Sequence, residues 1–171
     1  MNIVVTGDLG SGKSTAVRAA MRQLGWNRPG GFFTHWDGAW RGADRLHVET
    51  WAGEKQVLAR RIETRAGSDD LPYELDPAGV ACLTAACRAA VAAEQPVVLD
   101  ELGWIELGAP ELVQAVARLF RGPAPVLAVV RRRELDRWLE ILGRERVSHR
   151  IEIEAATRDA APARIAALFC A

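Results

Sequence analysis

Gly7-Asp8-Leu9-Gly10-Ser11-Gly12-Lys13-Ser14 follows an apolar, β-branched run at residues 2–6 and precedes an apolar-periodic stretch from Lys13 to Leu24 that stops at Gly25. The spacing is G-x-x-x-x-G-K-[ST], set between strand and helix as a phosphate-binding loop requires. Each residue type has a chemical reason. Glycines let the backbone wind close to phosphate oxygens, and consecutive N–H groups at a helix N-terminus form a positive nest. Lys13 is placed to bridge the terminal phosphates and the Ser14 hydroxyl to ligate Mg²⁺. Gly7, Asp8, Leu9, Gly10, Ser11, Gly12, Lys13, Ser14 and Thr15 are the expected nucleotide-binding set. A nest that bound nothing would leave the lysine charge repelled, with no anion to meet it.

Outward from the loop, the chain alternates strands and helices. Residues 31–36, 45–51 and 55–61 read as three short antiparallel strands carrying Trp36, Trp40 and Trp51, a β-meander that inserts into or extends a sheet. Residues 62–77 are polar and turn-rich, with Tyr73 to Leu75 extended and Asp76-Pro77 a helix start. Residues 78–94 are an Ala-rich helix, and Val97-Val98-Leu99 is a wholly apolar strand running into Asp100 and Glu101. A helix at 110–120, a buried strand at 126–130, a helix at 134–142, a strand at 147–153 and a helix at 158–169 complete the pattern. Such alternation implies parallel βαβ units with right-handed crossovers. The expected fold is α/β: a three-layer P-loop NTPase fold with a mainly parallel central sheet, helices on both faces and the meander at 31–61 as its extension. A length of 171 residues with no composition break fits a single domain over 1–171.

Composition narrows the partners. Lys plus Arg (22) balances Asp plus Glu (22), so no basic excess recommends a nucleic acid. No apolar stretch reaches the length of a membrane span, and a cytoplasmic protein is expected. Cys82, Cys87 and Cys170 have no metal or disulfide spacing, and His35, His47 and His149 stand apart from any ligand pattern. The two lysines, Lys13 and Lys55, face twenty arginines. A guanine-reading N-K-x-D is therefore impossible, which disfavours reading Asp100-Glu101-Leu102-Gly103 as a GTPase switch.

A phosphate loop needs a carboxylate on its metal side at the end of a buried strand, and Asp100 supplies it, holding Mg²⁺ through water. Glu101 is the candidate general base, polarising a water for in-line attack on the terminal phosphate. Arg131-Arg132-Arg133 leaves the strand at 126–130 on the edge where ligands bind in open sheets. Arg131 or Arg132 is a candidate for stabilising charge on the transferring phosphoryl group, and a solvated basic turn is the plainer reading.

Gly7 to Thr15, then Gly31-Phe32-Phe33-Thr34, then Val98-Leu99-Asp100-Glu101-Leu102-Gly103-Trp104-Ile105-Glu106-Leu107 resemble, in this order, the nucleoside-triphosphatase family first described from thermophiles and also found in humans. Thr157-Arg158-Asp159 resembles that family's tail motif, with its Asn missing; Asp8 and Trp104 depart from the family's usual residues. The resemblance implies a RecA-like domain that hydrolyses nucleoside triphosphates slowly, with Mg²⁺ and little base preference. It also implies roles near the nucleotide for Thr34 and Glu106, where a hairpin start and a helix-start carboxylate serve equally well.

Three functions fit these residues. The first is Mg²⁺-dependent hydrolysis of ATP, GTP or other nucleoside triphosphates. The second is a small-molecule or nucleotide kinase with ATP as donor, and the third a nucleotide-gated module that docks an unknown protein partner through the tryptophan-bearing meander.

Overall fold

The computed structural model describes residues 1–38, 44–63 and 72–170. One eight-stranded sheet carries the chain, in the order β5-β4-β3-β2-β6-β7-β1-β8. Its strands are β1 (Asn2–Thr6), β2 (Gly30–Trp36), β3 (Arg45–Thr50), β4 (Lys55–Arg61), β5 (Tyr73–Leu75), β6 (Val97–Leu102), β7 (Val126–Val130) and β8 (His149–Glu152). The helices are α1 (Lys13–Gln23), α2 (Pro77–Ala93), α3 (Pro110–Arg121), α4 (Leu135–Leu142) and α5 (Ala161–Cys170). Strands β2, β6, β7, β1 and β8 run parallel, and β3, β4 and β5 extend that sheet as an antiparallel meander. The α/β expectation is met. Trp40 lies outside the described residues, as does most of the turn-rich stretch before Tyr73.

The apolar strands alternate between two cores even though every residue of β1 and β7 is buried. Val4, Val126, Ala128 and Val130 pack beneath α2, α3 and α4, whereas Ile3, Val5, Leu127 and Val129 pack beneath α1 and α5. Helix α2 starts where Asp76 accepts a hydrogen bond from the Ala78 N–H at 3.0 Å, with Pro77 in its first turn.

Several element bounds shift by one to three residues from expectation, as at β8 and α5, and two differences have tertiary reasons. Strand β6 continues through Asp100 and Glu101 to Leu102, because pairing with β7 resumes at Leu102↔Val130 after a bulge. The two carboxylates thus belong to the strand itself. Strand β2, expected as part of an antiparallel set, is also the parallel neighbour of β6, with Gly31 opposite Val98 and Phe33 opposite Asp100.

The β2–β6 seam depends on Gly31. Its φ is +93°, and a Cβ there would sit 2.3 Å from the Val98 carbonyl oxygen, which already accepts from the Trp51 indole at 2.8 Å. Gly31→Ala is expected to lower the unfolding free energy by roughly 2 kcal/mol or more. Urea denaturation would show a reduced midpoint with little change in slope.

Candidate active site

The phosphate loop joins β1 to α1 at the carboxyl edge of the sheet. Gly7 has φ +150°, and a Cβ on it would lie 2.4 Å from the Ile153 carbonyl oxygen and 2.7 Å from Ser11 Oγ, so the turn closes only around a glycine. Helix α1 begins with no side-chain cap and no acidic residue in its first turn. Its first N–H groups therefore keep their pull on an anion. Lys13 is buried, and its ammonium donates to the carbonyl oxygens of Gly7 at 3.0 Å and Asp8 at 2.8 Å. Burial lowers its pKa, while the nearby Glu101 carboxylate opposes that shift.

Ser14 Oγ donates to Asp100 Oδ1 at 2.9 Å, a contact between α1 and the end of β6 across 86 residues of sequence. Asp100 is 4% exposed, and burial pushes its carboxyl up to about 6 against the Ser14 hydrogen bond. Glu101 is half-buried; its backbone N–H donates to Thr34 Oγ1 at 3.4 Å, and its Oε1 accepts from Arg131 Nε at 2.5 Å. Lys13, Ser14, Asp100, Glu101, Thr34 and Arg131 thus gather at one edge.

A hydroxyl and a carboxylate are the hard oxygen donors that suit Mg²⁺, and a carboxyl whose burial favours protonation gains from a cation beside it. Among the described residues no three His, Cys, Asp or Glu side chains converge to hold a metal by themselves. Ser14 and Asp100 are the pair here whose donors fit Mg²⁺.

Two cavities meet at the loop. One, of about 330 Å³, is lined by Leu9, Gly10, Gly12, Lys13, Ser14, Thr15, Thr34, Asp100 and Glu101. The other, of about 500 Å³, shares Leu9, Lys13 and Glu101 and adds Gly7, Asp8, Trp104 and the turn from Arg131 to Glu134. Arg132 pairs with Asp8 at 3.4 Å and with Glu152. Trp104 and Glu134 are wall residues that no sequence motif marks. Their place just past β6 and β7, on the ligand-facing edge, is the signal that would have found them.

The remaining candidates have packing partners. Glu106 is 3% exposed and lines neither cavity; its Oε2 accepts from the Gly103 N–H at 2.7 Å, while the Trp138 indole donates to the Gly103 oxygen at 3.1 Å. It braces the turn that follows the acidic strand. Trp51 packs on Phe33, with ring centroids 4.8 Å apart and the Arg18 guanidinium over both rings. Trp36 packs on Tyr73, and Tyr73 on Trp104. His35 stacks on His47 at 5.5 Å.

Burial lifts the Glu106 carboxyl from 4.5 to about 7. A carboxyl with a raised folded-state pKa costs nothing below about pH 4.5, where it is protonated in both states; the cost grows as pH rises toward 7 and is then constant. A shift of that size corresponds to about 3 kcal/mol. Glu106→Gln keeps an oxygen for Gly103 and removes the charge. It is expected to match the parent in stability near pH 4 and exceed it by about 2 kcal/mol at pH 8, as read from urea midpoints at the two pH values.

Known proteins supply the context for this geometry. The chain is similar to the nucleoside-triphosphatase THEP1 of Thermococcus kodakarensis, with 31% identity over 151 residues, 81% of this chain and 80% of that one. It shares its fold with the crystal structure of THEP1 from the hyperthermophile Aquifex aeolicus, with TM-score 0.74, 24% identity and 98% of each chain covered. The solution structure of a human cancer-related nucleoside triphosphatase superposes with TM-score 0.75 at 21% identity, over 98% of this chain and 96% of that one. Among the described residues no helix is long and apolar enough to cross a membrane. The sequence model of the NTPase family matches residues 2–166, and the chain belongs to that family.

Proposed function

We propose that this chain hydrolyses nucleoside triphosphates to the diphosphate and phosphate, with Mg²⁺, slowly and with little preference among bases. The observation that carries the reading is the convergence of Lys13, the Ser14–Asp100 contact and Glu101 on one edge of the sheet, around an uncapped helix N-terminus. The curated relative's name, nucleoside-triphosphatase, agrees with it.

In this mechanism the loop N–H groups and Lys13 hold the β- and γ-phosphates. Lys13 exchanges its two carbonyl contacts for phosphate oxygens, gaining an anion in a site whose burial penalises an unpaired ammonium. Ser14 and Asp100 would hold Mg²⁺, which would supply positive charge against the substrate's phosphates. Glu101 accepts a proton from the attacking water; the water oxygen bonds to the γ-phosphorus, and the bond from that phosphorus to the β-bridging oxygen breaks. Thr34 steadies Glu101 through its backbone N–H. Base tolerance follows from a site whose assigned contacts all go to phosphate and metal.

The 500 Å³ cleft beyond Lys13 and Glu101 favours a second reading, since a water occupies only about 30 Å³ of liquid volume. In a kinase, an acceptor alcohol would occupy that cleft, and Glu101 would take its proton instead. Phosphate release from ATP, GTP, CTP and UTP with Mg²⁺ and no added acceptor decides between the two. Hydrolysis of several nucleotides is expected, abolished by Lys13→Ala. Glu101→Gln is expected to lose roughly 100-fold or more in turnover while still binding nucleotide. Tight binding without release from any of the four would reject the hydrolytic reading.

A further inference from the structure

Arg131 is held in a way that hydrolysis by itself does not require. It follows β7, the strand lying between β1 with its phosphate loop and β6 with its carboxylates. Its backbone N–H donates to the Leu102 carbonyl at 3.0 Å, continuing the β6–β7 seam past the bulge. Its stem runs along Gly103, where a Cβ would come within 3.1 Å of Arg131 Cδ. Its Nε is engaged by Glu101 Oε1, in a pair whose side chains are only 24% and 19% exposed. Among the described residues, no hydrogen bond is made by either terminal nitrogen of its guanidinium. Arg131 and Lys13 line the same cleft. Two cations share the place where the reading above puts the γ-phosphate, and one of them occupies the proposed general base.

We infer that Arg131 selects triphosphates over diphosphates by exchanging partners, leaving Glu101 for the γ-phosphate and so freeing that carboxylate to take the proton of the attacking water. A guanidinium leaves a half-buried carboxylate only for an anion that offers more charge and more acceptor oxygens. The γ-phosphate is such an anion. A diphosphate places no group there, so Arg131 stays on Glu101. No bond is made or broken in the exchange; one ion pair replaces another. The inference rests on the triphosphate site proposed above and assigns Arg131 a contact with substrate, distinct from the bracing of the neighbouring turn by Glu106.

A double-mutant cycle on binding tests the exchange without turnover. Affinities for Mg²⁺ with the β,γ-imido analogue of ATP, and for Mg²⁺ with ADP, are measured by calorimetry on the parent, Glu101→Gln, Arg131→Ala and the double variant. If Arg131 must be drawn away from Glu101, neutralising Glu101 releases it beforehand. Glu101→Gln is then expected to tighten the analogue about tenfold, a coupling of about 1.4 kcal/mol, and to leave ADP within about twofold. In the Arg131→Ala background the same substitution is expected to change analogue affinity by less than about twofold. Should the gain persist at full size without Arg131, or appear equally for ADP, Glu101 acts by direct repulsion of phosphate and the exchange is wrong. Arg131→Gln, which keeps much of the stem's packing along Gly103, replaces Arg131→Ala if thermal melting shows the alanine variant to be unfolded. Phosphate release separates the two failures: hydrolysis with an additive cycle overturns only the exchange, whereas a coupled cycle without hydrolysis overturns only the hydrolytic reading.

Discussion

Strand β7 lies between the phosphate loop and the acidic strand, and this interposition sets the layout of everything at the edge. Neighbouring strands are spaced by about 4.8 Å, so the ends of β1 and β6 stand roughly 10 Å apart. That span is too wide for backbone groups alone and is closed by side chains. From one side come Lys13 and Ser14, delivered by the first turn of α1; from the other come Asp100 and Glu101, turned by the bulge in β6. Arg131 rises between them at the end of the intervening strand.

The same edge concentrates buried charge. Lys13, Asp100 and Glu106 are each less than a tenth exposed, and burial moves the pKa of each toward its neutral form. Two of the three have partners that a ligand can displace or augment: the loop carbonyls for Lys13, and Ser14 for Asp100. The partner of Glu106 is a backbone N–H within its own turn, and this separates a bracing carboxylate from one poised for chemistry. An edge that holds a desolvated ammonium and a desolvated carboxyl is stabilised by whatever brings the opposite charges.

The parts visible in the sequence are those written locally. The glycine spacing, the β-branched runs and the Asp76-Pro77 start specify their own backbone, and the strand–loop–helix at Gly7 to Thr15 forms as expected. The parts that were not visible depend on pairing across the sheet. Nothing local tells Gly31 that it faces Val98, or that β2 runs parallel to β6 while antiparallel to β3. The run Val97-Val98-Leu99 looks complete at Leu99, yet Leu102 rejoins the ladder because Val130 waits opposite it. The tryptophans illustrate the other limit. Trp36 and Trp51 were open to a partner-docking role on the meander, and their ring partners and the Trp51 hydrogen bond to Val98 bind them to this fold's own packing. In the sequence Trp104 is only a departure from a family pattern; its position on the cleft wall follows from the turn after β6.

The order of strands also bears on how the molecule comes into being. Among the described residues β1 pairs with β7 and β8 and with no other strand, so residues 2–6 meet their strand partners only once residues 126–130 and 149–152 are made. Gly7 is shaped against the carbonyl of Ile153, later still. During synthesis β1 therefore waits for strands made more than a hundred residues later, and contacts of such sequence separation are slow to form. The meander and α2 can assemble meanwhile, but the phosphate loop reaches its final form only when β8 docks, so an emerging chain gains the ability to hold nucleotide only after that strand is in place.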